Sequence, residues 1–268
     1  MRQRRWAGSS LPLAVLLLGL IAGAIIVFPL LALASHTSWG QLWEIATEPS
    51  NLSALRLSVL TASLACLVAT VTGTALALAL ARSHGTVAAL VRAVVLVPLV
   101  LPPVVSGLAL LFAYGRAGPL APLLRALDLQ IVFSTPAVIL AQVFVSLPFV
   151  VVTLEGAVRQ RGLGPERAAA SLGAGRSRVL CTVTLPRFAP LIGLAATLAF
   201  ARSLGEFGAT LMVAGSLEGT TRTVPLQIYL VRETDMAAAV SLAMVLVVFS
   251  LLVVILAYAR GPLGKSAT

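Results

Sequence analysis

The chain has 268 residues, 59% of them hydrophobic and 10% charged, with a net charge of +10. Soluble domains carry about 45–50% apolar and about 25% charged residues, and a soluble fold this small has too much surface to hide the excess. Composition therefore excludes a soluble enzyme, a nucleic-acid binder and a disordered chain, and the two cysteines give no disulfide framework.

In chain order, six apolar stretches are predicted to be membrane-spanning helices: Leu11–Ala34, Ala54–Ala81, Val87–Ala113, Ile131–Leu154, Ala189–Ala214 and Ala237–Ala259. Each exceeds the roughly 20 residues that cross about 30 Å of hydrocarbon. Unbroken apolar runs without alternation favour helices over barrel strands. The first stretch ends in Ala32-Leu33-Ala34, like a signal-peptidase site, but it outruns the roughly 7–15 apolar residues of a signal segment. It is expected to remain as a helix. The third stretch contains Pro98, Pro102 and Pro103, followed by Ser106-Gly107. Prolines remove backbone donors, so a kink or break is expected, and irregular backbone at that depth must be buried or line a cavity. Pro102 and Ser106 are accordingly candidates for a pathway.

Orientation follows from the bases. With the N-terminus inside, 13 Lys and Arg residues fall on the inner side and five (Arg56, Arg116, Arg125, Arg222, Arg232) on the outer, leaving Arg202 within a span. Positive charge gathers on the cytoplasmic side, so both termini are expected there. Trp6 near one face, and Trp39 with Trp43 near the other, are expected to anchor at the interfaces.

Between the fourth and fifth stretches lies Glu155–Phe188, a 34-residue segment expected to be a cytoplasmic loop. Pro165, Glu166 and then Arg167 to Ala170 predict a short helix, with proline and an acid in its first turn and good helix formers after them. Gly173 and Gly175 are expected to end it. A second helical stretch, Arg176–Thr184, should run until Leu185-Pro186 turns the chain into the fifth span. The small alanines would expose a shallow surface suited to a docking partner.

This segment resembles the E-A-A loop of ABC-importer permeases, whose pattern is E-A-A, three residues, Gly, nine residues, then I-x-L-P. Ala168-Ala169, Gly173, Val183, Leu185 and Pro186 fall on that pattern. Arg167 takes the glutamate's place, with Glu166 one residue earlier, and Val183 replaces Ile. The strings FARSLGEFGATLMVAG (Phe200 to Gly215) and TRTVPLQIY (Thr221 to Tyr229) are similar to molybdate and tungstate permeases, and sulfate permeases share much of them. Together the resemblances cover most of Glu155–Tyr229. The first four spans match only in number, spacing and charge placement.

The resemblance implies an all-α membrane protein with the six-helix, type I importer permease (MetI-like) fold, a single transmembrane domain over 1–268 with a coupling loop at 155–188. It implies a homodimer in the cytoplasmic (inner) membrane, among lipid, that moves molybdate or tungstate inward. Two ATP-binding cassette subunits, using ATP and magnesium, would dock on the loop at Glu166, Ala168, Ala169, Gly173, Leu185 and Pro186. An extracytoplasmic binding protein would deliver the oxyanion. No catalytic residue, cofactor, metal or nucleic acid is expected on this chain. Gly264-Lys265-Ser266 ends like a nucleotide-binding loop, but Ala259 stands where that motif needs glycine, so ATP hydrolysis is assigned to another chain. The alternatives are a sulfate or thiosulfate permease and, in another class, a secondary anion transporter. The latter should show repeated halves with matching intramembrane acids, and the predicted spans hold Glu206 alone.

Arg202 and Glu206 are four residues apart, near the middle of the fifth predicted span and on one helix face. A charge at a helix centre costs roughly 2.5–3.5 kcal/mol on insertion scales, so such residues face a partner or a water-filled path. Both a packing pair and an oxyanion contact fit. Gly205 and Gly208 would let a neighbouring helix approach closely. The Ser203 and Thr210 hydroxyls could replace water around a tetrahedral anion. The candidate pathway is thus Pro102, Ser106, Arg202, Ser203, Glu206 and Thr210.

Overall fold

A computed structural model describes residues 12–260. Trp6, the arginines at 2, 4 and 5, Lys265 and the Gly264-Lys265-Ser266 string lie outside the described residues. Among the described residues every regular element is helical. Among the described residues five helices are long and apolar enough to cross a membrane, and a bent pair makes a sixth if it is counted as one span.

The first span, α1 (Leu13–Ser35), has no buried residue. A helix apolar all round has lipid for its solvent. After it come a 3-10 turn at Trp39–Gln41, α2 (Leu42–Thr47) and the 34-residue α3 (Pro49–Arg82). Trp39 and Trp43 are exposed beyond the end of α1. The chain continues through α4 (Thr86–Val100), α5 (Pro103–Tyr114), the short α6 (Ala121–Ala126) and α7 (Thr135–Arg161). Then follow α8 (Gly164–Ser171), α9 (Arg176–Val179), α10 (Leu185–Leu204), α11 (Gly208–Ala214), α12 (Val224–Val231) and α13 (Met236–Arg260). Proline stands in the first turn of α3, α5, α6, α7, α8 and α12. There its missing N–H costs nothing and its fixed φ favours the helix.

The core is built from small residues. Along α3, α7 and α10, Ala69, Ala77, Leu80, Val150, Val151, Leu154, Ala195 and Ala199 form one cluster. Alanine and glycine let helix backbones close on each other where lipid gives no hydrophobic push. A Cβ on Gly73 would stand 2.9 Å from Val150 Cγ1. A second cluster joins α5, α7 and α11 through Leu110, Ala137, Val138, Ala141, Ala209, Val213 and Ala214. A third unites α3, α12 and α13 through Ala54, Val224 and Leu242. Beside it the Val224 amide donates to Ser58 Oγ (2.7 Å) and Gln227 Nε2 donates to Asn51 Oδ1 (2.9 Å). These bonds fix the broken connection between α11 and α13 on the long third helix.

One expectation is met and two need correction. The kink or break expected in the third span is a break: α4 and α5 are bent by 118° at Leu101-Pro102, while Pro98 lies inside α4 without ending it. Leu185-Pro186 does not turn the chain. Instead α9, a π turn at Leu180–Thr184 and α10 form one helix, Arg176–Leu204, of 29 residues. In the π turn the Leu185 amide donates to the Leu180 carbonyl, five residues back. That widened turn gives the ring of Pro186 the room an α ladder denies it. Finally, the fifth span is not continuous to Ala214. It stops at Leu204, and Gly205, Glu206 and Phe207 separate it from α11.

Candidate functional site

The segment between α7 and α10 folds into a clasped platform. Pro165 starts α8 as expected, and Gly173 ends it at φ +85°. The Ala174 amide donates to the Ala169 carbonyl (3.1 Å) and the Gly173 amide to Ala170 (3.0 Å). This is a Schellman stop, which demands a left-handed residue at the glycine position. The glycine of the sequence pattern is therefore a backbone requirement, since nothing lies within 4 Å of its missing Cβ.

Glu166 departs from its expected place on a docking face. It is buried, and its Oε2 accepts from Arg187 Nη1 at 3.1 Å. Arg187 also donates to the Gly162 carbonyl (3.0 Å) and the Arg161 carbonyl (2.8 Å), and Arg161 Nη1 donates back to the Arg187 carbonyl (3.3 Å). Both guanidinium groups lie over the Phe188 ring, 5.8 and 5.4 Å from its centre. Phe188 in turn packs with Leu78, Val158 and Leu185. Glu166 and Leu185 thus tie α8 to the root of α10. Ala168, Gly173 and Pro186 are exposed, and Ala169 is half-buried. Behind α8 a hollow of about 560 Å³, lined by Ala75, Arg82, Ala170, Ala174 and Thr184, separates it from the end of α3.

Two features of this end escaped the sequence. Leu172 projects with 89% of its surface exposed, one helical turn beyond Ala168. Its signal was only its place beside Gly173. Glu155 joins Arg92 (2.6 Å) and Arg159 (3.0 Å), and Arg92 Nη2 donates to the carbonyls of Leu80 (2.6 Å) and Ser83 (3.0 Å) at the end of α3. A cation on terminal carbonyls satisfies both their lone pairs and the helix dipole. The four-residue spacing of Glu155 and Arg159 was the available clue.

The second group of candidates meets where two helices restart. A Cβ on Gly208 would fall 2.5 Å from Pro103 Cβ, and one on Gly107 would fall 2.5 Å from Met212 Cβ. The beginnings of α5 and α11 therefore touch. Gly205 makes no comparable approach and is exposed, contrary to the expectation of a close contact. Arg202 Nη2 stands 2.7 Å from Glu206 Oε2, with side-chain exposures of 32% and 1%. The pair predicted from spacing exists, but Glu206 lies in the break, where its Oε1 accepts from the Ala209 amide (2.9 Å) and caps α11. Pro102 is exposed at the other break. Ser106, Ser203 and Thr210 are turned inward: each is buried, and its hydroxyl has no partner among the described residues. Gln142 of α7, which sequence reasoning passed over, shares that state at both ends of its amide. An amide inside an apolar span was its signal.

The description "binding-protein-dependent transport system inner membrane component" fits a family that matches residues 69–262. The chain is 51% identical over 245 residues to the molybdenum transport system permease protein ModB of Mycobacterium tuberculosis, covering 91% of this chain and 93% of that one. It is 34% identical over 232 residues to the sulfate transport system permease protein CysT of Escherichia coli, covering 85% and 84%. In fold it is similar to a chain of a bacterial alginate ABC transporter solved with its pentasaccharide-bound periplasmic protein, with a TM-score of 0.71 at 17% identity, covering 92% and 93%.

Proposed function

The chain belongs to the family of binding-protein-dependent transport system inner membrane components, and from that premise we propose that it forms the membrane pathway of a molybdate importer. Two copies would enclose the path, and tungstate, of the same charge and shape, would share it. Two ATP-binding subunits would dock on α8 and hydrolyse magnesium-bound ATP. An extracytoplasmic binding protein would deliver the ion and supply most of the selectivity. Both termini and α8 would lie on the cytoplasmic side, in keeping with the distribution of arginine and lysine.

One observation carries this reading: α8 is clasped to the root of a single 29-residue helix whose other end holds Arg202. A displacement of α8 would move that helix as a lever, its arm from Arg187 to Arg202 about 22 Å at 1.5 Å per residue. The break at 205–207 would then shift against the start of α5, opening and closing the path by rigid-body rearrangement. Arg202, one-third exposed, is the candidate contact for the anion. Its partner carboxylate cancels most of its charge, which suits passage better than retention. Ser106, Ser203 and Thr210 stay candidates beside it, each buried with a hydroxyl that has no partner among the described residues.

The test is reconstitution with the ATP-binding subunit in liposomes. Molybdate-loaded binding protein should stimulate ATP hydrolysis and drive uptake. Stimulation by the sulfate-loaded form alone would establish the sulfate reading, which the likeness to a sulfate permease supports. Uptake without ATP would establish a secondary transporter.

A further inference from the structure

Residues 162–184 contain one acid, Glu166, and three bases, Arg167, Arg176 and Arg178. The acid is buried against Arg187, out of reach of any partner. The three bases are exposed and form no ion pair among the described residues. At the end of the eight-residue α8, Leu172 stands open beside exposed Ala168 and Gly173. One large apolar side chain within six residues of three exposed cations is complementary to an apolar socket rimmed by carboxylates. A lipid surface suits it less. Interfacial helices bury a face of several large apolar residues, whereas α8 offers small alanines and one leucine. The E-A-A pattern has glutamate where this chain has Arg167, and Glu166 cannot stand in for it because its carboxylate is turned into the protein.

We propose that the ATP-binding subunit docking on this chain places an aspartate or glutamate against Arg167, at the rim of an apolar socket for Leu172. The charge polarity of this contact is then opposite to that of permeases with glutamate at this position. The sign of the pair selects the cognate subunit, since a socket built for glutamate would set cation against cation. This inference rests on the coupling role given to α8 above and adds the chemistry of its partner.

The experiment uses the full chain with its ATP-binding subunit, copurified in neutral detergent without lipid, for wild type, Leu172→Ser, Arg167→Gln and Arg167→Glu. All three side-chain changes are at exposed positions, so the elution profile of the permease should not alter. Leu172→Ser should lose most of the copurified subunit. Arg167→Glu should weaken docking about tenfold at low salt, the difference shrinking as salt rises, with Arg167→Gln between. Lysine scanned through the acids of the ATP-binding subunit should restore docking to Arg167→Glu at one position. If Leu172→Ser weakens docking but Arg167→Glu does not, the polarity is overturned while the docking role stands. If neither weakens it, both fall. If the Arg167→Glu defect appears only after anionic phospholipid is restored, the charge serves lipid and the proposal is wrong.

Discussion

Glu206 uses each carboxylate oxygen once, one on Arg202 and one on the Ala209 amide in the first turn of α11. Glu206→Gln keeps the cap acceptor but leaves Arg202 without its counter-charge. Removing one partner of a buried pair costs about 3–5 kcal/mol; with Arg202 one-third exposed, roughly half of that is expected, read as a lower unfolding temperature in detergent. Arg202→Gln should cut molybdate uptake further than it cuts assembled complex. Equal losses of both, restored together in the double variant, would return the pair to plain packing. Gly173 makes a different demand. A left-handed backbone costs a side-chain-bearing residue roughly 1–2 kcal/mol, so Gly173→Ala should fray α8 even though space is free. Faster amide exchange over 166–174 with unchanged exchange in α7 would show it. Spacing exposed the ion pair to sequence reasoning. The break beneath it stayed hidden, because a lone glycine followed by a glutamate also occurs inside helices, and nothing in the string says which amide a carboxylate will cap.

At the scale of elements, the contact between α5 and α11 rests on two absent side chains. Gly107→Ala and Gly208→Ala each force a methyl to within 2.5 Å of existing atoms, Met212 Cβ in one case and Pro103 Cβ in the other. Overpacking of this kind costs about 1–3 kcal/mol. Both variants should give less folded protein and a lower midpoint, while Gly205→Ala, whose Cβ meets only the Ala201 carbonyl at 3.8 Å, should not. Gly208 was legible as a close-approach residue because small residues mark helix interfaces in lipid. Gly205 bore the same mark and proved different, since type alone carries no direction. The platform helix was legible almost to the residue, its start set by Pro165 and its stop by Gly173. The join of α9 to α10 was not, because Leu-Pro ordinarily ends a helix and only the widened turn before it keeps this one going.

For the whole molecule, hydropathy alone separated six spans, because apolar runs of this length have no other stable home. What hydropathy cannot report is whether a span is one rod or two, and the two broken spans are the one with Pro102-Pro103 and the one with buried Glu206. The orientation remains open to a direct measurement. In a background lacking Cys66 and Cys181, single cysteines at Leu172 and Leu217, both exposed, should react with an impermeant reagent from opposite faces of oriented membranes. Labelling of both from one face would end the six-span topology.

A helix is a screw, and the π turn at Leu180–Thr184 is one surplus step in its thread. Each residue advances an α-helix by roughly 100°. The turn therefore sets the phase between the platform that bears Leu172 and the arginine at the other end of the rod. Deleting one residue from the turn would leave every side chain in place on its own stretch, yet point the two ends in different directions. Timing in this molecule is thus partly an angle, and five residues hold the setting.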